Sequence, residues 1–296
     1  MTSERAYVHG CELAVRRSFS VGGLVLRALE WGTPGRSPLC FLHGGSAHAH
    51  WFDAVAPVFA DRYHVLSLDQ RGHGESDWPA PAAEGAAYAT EDFAADLGGL
   101  MDALGWRRMA ICGHSMGGHN AMAFAAWHPD RVSALIVVDS RPSIPPDRLN
   151  LMHRRGHRGP RRHETLEAAL RSFRLLPRET VADPALLEHL ARTGIVERGG
   201  RFLYRFDPDC NGMRQPVDVW PLLPRIAAPT LLVRAELSPV LPRATAEGMA
   251  ARIPRARLEE VSGAYHHLVL DRPTAFAALL DRFLRDVDPA DSQGRC

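Results

Sequence analysis

The chain has 296 residues, with 35 basic side chains against 34 acidic ones, and every basic side chain is an arginine. A formal net charge of +1 provides no global field that would draw the protein to nucleic acid or to a membrane surface. The absence of lysine excludes Schiff-base and pyridoxal chemistry and a P-loop nucleotide site, because arginine stays protonated and cannot act as the amine these need.

Proton transfer therefore falls to the 15 histidines, the carboxylates, the tyrosines or the cysteines. Five cysteines (Cys11, Cys40, Cys112, Cys210 and Cys296) show no metal spacing. They are expected as free thiols in a reducing cytoplasm, with Cys40 and Cys112 buried in central strands. Met1 to Ser20 has no apolar run of signal-peptide type, and no later stretch is long and apolar enough to span a bilayer.

In chain order, alternating segments Leu13 to Phe19 and Leu24 to Trp31, joined through Val21-Gly22-Gly23, predict a hairpin. A short apolar run, Leu39 to Leu42, ends at His43-Gly44-Gly45. A helix is expected near Trp51 to Ala60, and a strand over Tyr63 to Asp69. Thr90 opens a helix with Glu91 and Asp92 in its first turn, where carboxylates complement the dipole; it stops at Gly105. The strand Met109 to Cys112 runs into Gly113-His114-Ser115-Met116-Gly117-Gly118, followed by a helix to near Pro129 and a strand over Ala134 to Asp139. Such alternation marks a mostly parallel sheet flanked by helices.

The alternation lapses between Arg141 and Arg225, a stretch with 16 arginines and 10 carboxylates. Helical pieces are expected over His163 to Leu176 and Pro184 to Arg192, with a hairpin at Gly199-Gly200. The segment reads as an inserted helical subdomain, dividing the chain into a core (1–140 and 226–296) and a cap (141–225). Strand logic resumes at Thr230 to Val233. A helix near Arg243 to Ile253, a strand Arg257 to Val261, a helix from Pro273 to Leu284 and a frayed tail from Asp286 complete the chain.

The chemistry concentrates at Gly113 to Gly117. A Gly-x-Ser-x-Gly pentad between an apolar strand and a helix holds the Ser115 hydroxyl on a strained turn over the helix N-terminus, where it can serve as a nucleophile. The Met116 backbone N–H and one from the Gly45 loop are candidate oxyanion donors, Gly45 allowing close approach to substrate; His43 is expected to be a structural hydrogen-bonder. His266, in the loop after the last strand, is the candidate base, with His267 its rival. Asp139, 24 residues beyond Ser115, is the candidate orienting acid, and Glu236 the alternative.

These motifs resemble the α/β-hydrolase superfamily over nearly the whole chain. His43-Gly44-Gly45 is similar to its oxyanion loop, Asp69 to Ser76 (DQRGHGES) to its Asp-x-Arg-Gly-x-Gly-x-Ser turn, Gly113 to Gly117 to its nucleophile elbow, and Gly263 to His266 to its histidine loop. The sequence departs at Ser238, where most members carry the acid after the strand that follows the cap. A subset takes the acid from the strand after the nucleophile helix, which here is Asp139. The resemblance implies an α/β-hydrolase fold and a carboxylesterase that hydrolyses a small-molecule ester through an acyl-enzyme, with no cofactor. It leaves open a C–C hydrolase, lactonase, perhydrolase or slow-turnover receptor. The Asp69 to Ser76 turn is expected to be scaffold, with Arg71 pairing to carboxylates.

Phe173, Phe202, Tyr204, Phe206 and Trp220 either line an acyl or alcohol pocket or pack the inserted segment onto the core. Arg154, Arg155, Arg158, Arg161 and Arg162 read as a solvated face. His48-Ala49-His50 has ligand-like spacing but no matching carboxylate or cysteine cluster in its neighbourhood, so no metal is expected.

Overall fold

The computed structural model describes residues 14–80 and 87–287; Cys11, Cys296 and the end of the tail lie outside them. The first two strands, β1 (Val15–Val21) and β2 (Leu24–Trp31), form the expected hairpin, turning at Gly22 and Gly23, both with positive φ. β3 (Ser37–Leu42), β4 (Tyr63–Asp69), β5 (Met109–His114), β6 (Val132–Val138), β9 (Thr230–Ala235) and β10 (Ala256–Val261) supply the parallel part of an eight-stranded sheet. Its order is β1-β2-β4-β3-β5-β6-β9-β10. Only the β1–β2 and β2–β4 pairings are antiparallel.

Continuous apolar runs make β3, β4 and β5 central, because a strand covered on both faces has no solvent side to mark with polar residues. All of β4 and all of β5 are buried. Helices α1 (Thr90–Ala103) and α2 (Met116–Trp127) cover one face of the sheet, where Leu97, Leu100, Met122 and Phe124 meet Cys40, Leu66 and Ile111. The other face carries α8 (Leu268–Asp271) and α9 (Pro273–Val287), through Leu268, Phe276 and Leu280. Each such fully buried side chain contributes about 1.5–3 kcal/mol relative to exposure. As expected, Cys40 and Cys112 are buried free thiols, and Cys210 is another.

The structure differs from the sequence reading in several places. Two short 3₁₀ turns, Ala49–Phe52 and Ala56–Phe59, replace the helix expected over Trp51 to Ala60. Pro57 lacks the N–H an α-helix would need there, and Trp51, Phe52, Val55, Ala56 and Phe59 are all buried, leaving the segment no amphipathic stripe. The helix expected from His163 to Leu176 is only α4 (Leu166–Ser172), started by Thr165, whose hydroxyl accepts from the Ala168 N–H. An unforeseen helix, α3 (Pro146–Gly156), carries the first two arginines of the run, Arg154 and Arg155; its few apolar positions give little period to read. Arg154, Arg155, Arg158, Arg161 and Arg162 are exposed, as a solvated face requires. At the chain's end, Asp286 is not frayed: it is the penultimate residue of α9 and pairs with Arg257 at 2.6 Å.

Between Arg141 and Arg225 nothing joins the main sheet. The segment holds α3, α4, α5 (Pro184–Thr193), a separate hairpin of β7 (Ile195–Arg198) and β8 (Arg201–Tyr204), α6 (Asp209–Gly212) and a 3₁₀ turn over Trp220–Arg225. The hairpin turns on Gly199 and Gly200, both at positive φ, as a tight two-residue turn demands.

Candidate active site

The parallel strands all present their carboxyl ends at one edge, and the sequence-predicted site residues meet there. Ser115 follows β5 directly and caps α2, at φ 51° and ψ −116°. This is a conformation L-residues rarely adopt, of the kind that costs about 1–3 kcal/mol. The flanking glycines are obligatory. A Cβ on Gly113 would lie 2.4 Å from the Gly117 carbonyl oxygen, and one on Gly117 would lie 2.3 Å from the Leu42 carbonyl oxygen. Ser140 Oγ donates to the Ser115 carbonyl at 2.6 Å and ties the elbow to the neighbouring strand end.

Ser115 Oγ lies 3.0 Å from His266 Nε2, and His266 Nδ1 lies 2.7 Å from Asp139 Oδ2. With Nδ1–H donating to the carboxylate, Nε2 is left with its lone pair toward the serine, the tautomer that can take a proton. Burial, with a smaller contribution from the Arg148 charge, lowers the His266 pKa to about 3, so the resting imidazole is neutral. Burial raises Asp139 to about 6, opposed by hydrogen bonds from Ser238 and the Ala235 N–H. At neutral pH the acid is thus ionised, holding three donors. Asp139 also has a positive φ, 44°, which turns it off the end of β6.

The alternative site residues are otherwise engaged. Glu236 is exposed and accepts from the Gly263 N–H at 2.8 Å, bracing the histidine loop. His267 Nε2 donates to the Pro177 carbonyl at 2.9 Å. His43 is structural: Nδ1 donates to the Gly44 carbonyl at 2.7 Å and Nε2 accepts from the Gln70 N–H at 3.1 Å. Ser238 Oγ donates to Asp139 Oδ2 at 2.5 Å. The residue at the position where most of the resembled family carries its acid therefore holds the acid that replaces it.

Neither the Gly45 nor the Met116 N–H has an acceptor among the described residues. The Gly45 Cα faces Met116, since a Cβ there would lie 3.9 Å from Met116 Sδ. That space is open, whereas Gly44 is packed within the protein, where a Cβ would sit 3.2 Å from the Ser115 Cβ and 3.1 Å from His114 Nδ1.

A buried polar chain supports this loop, and the sequence reading missed it. Arg214 Nη2 donates to Asn120 Oδ1 at 2.7 Å, Asn120 Nδ2 to Gln70 Oε1 at 2.9 Å, and Gln70 Nε2 to the His43 carbonyl at 2.7 Å. Burial lowers the Arg214 pKa to about 10, and its guanidinium stacks 4.7 Å from the Phe93 ring centroid. The three side chains come from three distant segments, so no local spacing announces them. The Asp69 to Ser76 turn is scaffold, as expected. Asp69 accepts from the N–H groups of Ala49 and Glu75, and Arg71 grips Asp96 with two hydrogen bonds at 2.7 and 2.8 Å.

Of the five aromatics, Phe206 packs against the small cluster of Tyr88, Phe93 and Cys210, on which Met116 also packs. Tyr204 is held by Ser172 and the Ala169 carbonyl, and Trp220 packs on Arg252. Beside His48-Ala49-His50, where the sequence reading finds no matching carboxylate cluster, the structure brings one together. A carboxylate does lie close by: Asp53, three residues after His50 at the end of the same 3₁₀ turn, with His189 brought in from α5. The long-range histidine could not be placed from sequence.

Residues 37–173 match the family profile for the alpha/beta hydrolase fold. The chain is 27% identical over 258 residues to the 2-(acetamidomethylene)succinate hydrolase of Mesorhizobium japonicum, covering 86% of this chain and 89% of that one. It is 30% identical over 226 residues to a putative carbamate hydrolase of Stutzerimonas stutzeri, covering 72% and 78% respectively. Among solved structures, an α/β hydrolase from Novosphingobium aromaticivorans superimposes with a TM-score of 0.76 at 28% identity, over 92% of this chain and 98% of that one. The crystal structure of E-2-(acetamidomethylene)succinate hydrolase gives 0.80 at 25% identity, over 92% and 99%. Matching in sequence profile, in full-length relatives and in three-dimensional fold, the chain belongs to the α/β-hydrolase family, a family of hydrolases among the relatives compared.

Proposed function

We propose that the protein is a serine hydrolase of carboxylic esters working through an acyl-enzyme, with Ser115 as nucleophile, His266 as general base and acid, and Asp139 as the orienting acid. The observation that carries this reading is the unbroken chain from Ser115 Oγ to His266 at 3.0 Å and on to Asp139 at 2.7 Å. His266 Nε2 takes the serine proton as Oγ attacks the ester carbonyl. The imidazolium then faces ionised Asp139 and hands its proton to the leaving alcohol, and water repeats the cycle to release the acid. The Met116 and Gly45 N–H groups, near the positive end of α2, stabilise the oxyanion.

Residues 141–225 act as a cap over this edge of the sheet, although Val219 and Leu223 pack into the body's own core. Three buried thiols favour a cytoplasmic, reducing setting, and among the described residues no helix is long and apolar enough to cross a membrane. A second reading, hydrolysis of an amide or carbamate through the same residues, draws on the names of the two relatives.

Turnover of short p-nitrophenyl esters by wild type and Ser115→Ala tests the proposal. Ser115-dependent release of p-nitrophenol with a burst is expected. Ser115-dependent cleavage confined to amides or carbamates would replace the first reading with the second, and no Ser115-dependent turnover of either would overturn both.

A further inference from the structure

We propose that His50, Asp53 and His189 form a metal site for a zinc-like ion that ties the inserted segment to the body of the protein. His50 Nδ1 lies 2.8 Å, and His189 Nε2 2.7 Å, from one and the same oxygen, Asp53 Oδ2. The ligand atoms of the three residues all lie within 4.8 Å of one another. The Asp53 side chain is fully buried, and its other oxygen, Oδ1, has no hydrogen-bond partner. If hydrogen bonding alone had shaped the cluster, two donors and a two-oxygen acceptor would spread over both oxygens. Instead two imidazole nitrogens crowd one oxygen while the second, buried, has no partner, which leaves two nitrogens and a carboxylate close enough to share one cation.

The chemistry of the set narrows the ion. Two imidazole nitrogens and one carboxylate oxygen suit Zn2+ and its first-row neighbours rather than Mg2+ or Ca2+, which prefer all-oxygen shells. Ligand bonds of about 2.0–2.1 Å in a tetrahedron set ligand-to-ligand separations of about 3.3 Å, so each imidazole retreats from Asp53 by about 0.5 Å. On binding, each imidazole presents a nitrogen lone pair to the ion, and the fourth position takes water.

Neighbouring structure supports the cluster. His48 stands beside it, its ring centroid 5.8 Å from that of His50, fixed by a hydrogen bond from Nε2 to the Leu190 carbonyl on α5. A cavity of about 200 Å3, lined in part by His48, His50, Arg192 and Thr193, gives the ion a path in. The cavity lining mixes Arg16, Arg27 and Arg205 with Asp69 and Glu75, and Glu75 pairs with Arg16 and Arg205, so no field of one sign gathers cations here and an ion is retained by coordination bonds. His50 lies in the 3₁₀ turn that follows the Gly45 loop and Asp53 caps its end, whereas His189 lies on α5 of the inserted segment. The metal would therefore join parts of the chain 136 residues apart.

The test uses the full chain, stripped with a chelator and dialysed against Zn2+, Co2+, Mg2+ or Ca2+. Wild type is expected to retain one Zn2+ per chain, to show the intense visible absorption of tetrahedral Co2+, to unfold several degrees higher with Zn2+, and to retain no Mg2+ or Ca2+. His189→Gln and, independently, His50→Gln are expected to weaken Zn2+ by about 100-fold or more, at or beyond the upper end of what outer-shell changes cost. No retained Zn2+ in the wild type would overturn the proposal, as would equal retention in both variants. Retention abolished only by His267→Gln would also overturn it, by placing the ion on the His114, His266 and His267 cluster at the candidate active site.

Discussion

Replacing Asp139 with asparagine separates the acid's role from everything else it holds. In the structure Asp139 accepts from Ser238 Oγ at 2.5 Å, from the Ala235 N–H at 3.1 Å and from His266 Nδ1 at 2.7 Å. An asparagine of the same shape keeps its carbonyl for the Ala235 N–H and places its NH2 where Oδ2 stood, facing His266 and Ser238 Oγ, whose hydroxyl then accepts instead of donating. The imidazole must then accept at Nδ1 and carry its proton on Nε2, where it can no longer take one from Ser115. Enforcing the wrong tautomer in a serine triad lowers kcat by about 10⁴-fold, and that is the expected loss at pH 7.5, equivalent to about 5.5 kcal/mol of transition-state stabilisation.

The same substitution is expected to stabilise the fold. Burial raises Asp139 from 3.8 to about 6, so the folded state prefers the protonated acid. That preference contributes fully below pH 3.8 and is lost as pH rises through about 6, leaving the ionised group costing up to about 3 kcal/mol above it. Asp139→Asn should therefore unfold no lower in temperature than wild type at pH 8 while losing activity. Adding Ser238→Asp should restore at least a tenth of kcat, because Ser238 Oγ already touches the carboxylate and a carboxylate from that side reaches the same imidazole. Ester hydrolysis and thermal unfolding measure both effects. Retention of more than a tenth of wild-type kcat by Asp139→Asn, or an equal loss in Glu236→Gln, would refute the assignment of the acid.

Activity should be flat above neutrality and fall as pH drops through about 6, since the first proton taken up by the Asp139–His266 pair removes the base; this apparent pKa belongs to the pair. A kcat/KM profile still flat at pH 4.5 would contradict it. Gly117→Ala places a methyl 2.3 Å from the Leu42 carbonyl oxygen and should cost about 3 kcal/mol; an unchanged urea midpoint would be incompatible with the elbow described. Asn120→Leu removes the link between Arg214 and Gln70 and leaves a buried guanidinium and amide underbonded, with an expected loss of about 3 kcal/mol. Its urea midpoint should drop accordingly, and a loss under about 0.5 kcal/mol, no more than a neutral surface change, would show the polar chain to be dispensable.

The absence of lysine excluded amine chemistry, while the pentad between an apolar strand and a helix and the alternation of strand and helix determined the class of fold and the place of the serine, because each is a local pattern that backbone geometry translates directly. The hairpin at Gly199-Gly200 was legible for the same reason. Which acid meets His266 was open in the sequence, since Asp139 and Glu236 both follow parallel strands and both belong to the same sheet edge. The structure chose by direction: Asp139, at positive φ, turns inward under the imidazole, and Glu236 turns outward to Gly263. The Arg214–Asn120–Gln70 chain and the meeting of His189 with Asp53 were beyond sequence reading. They join residues 94 and 136 positions apart, and such encounters are fixed by how layers pack, not by any period along the chain.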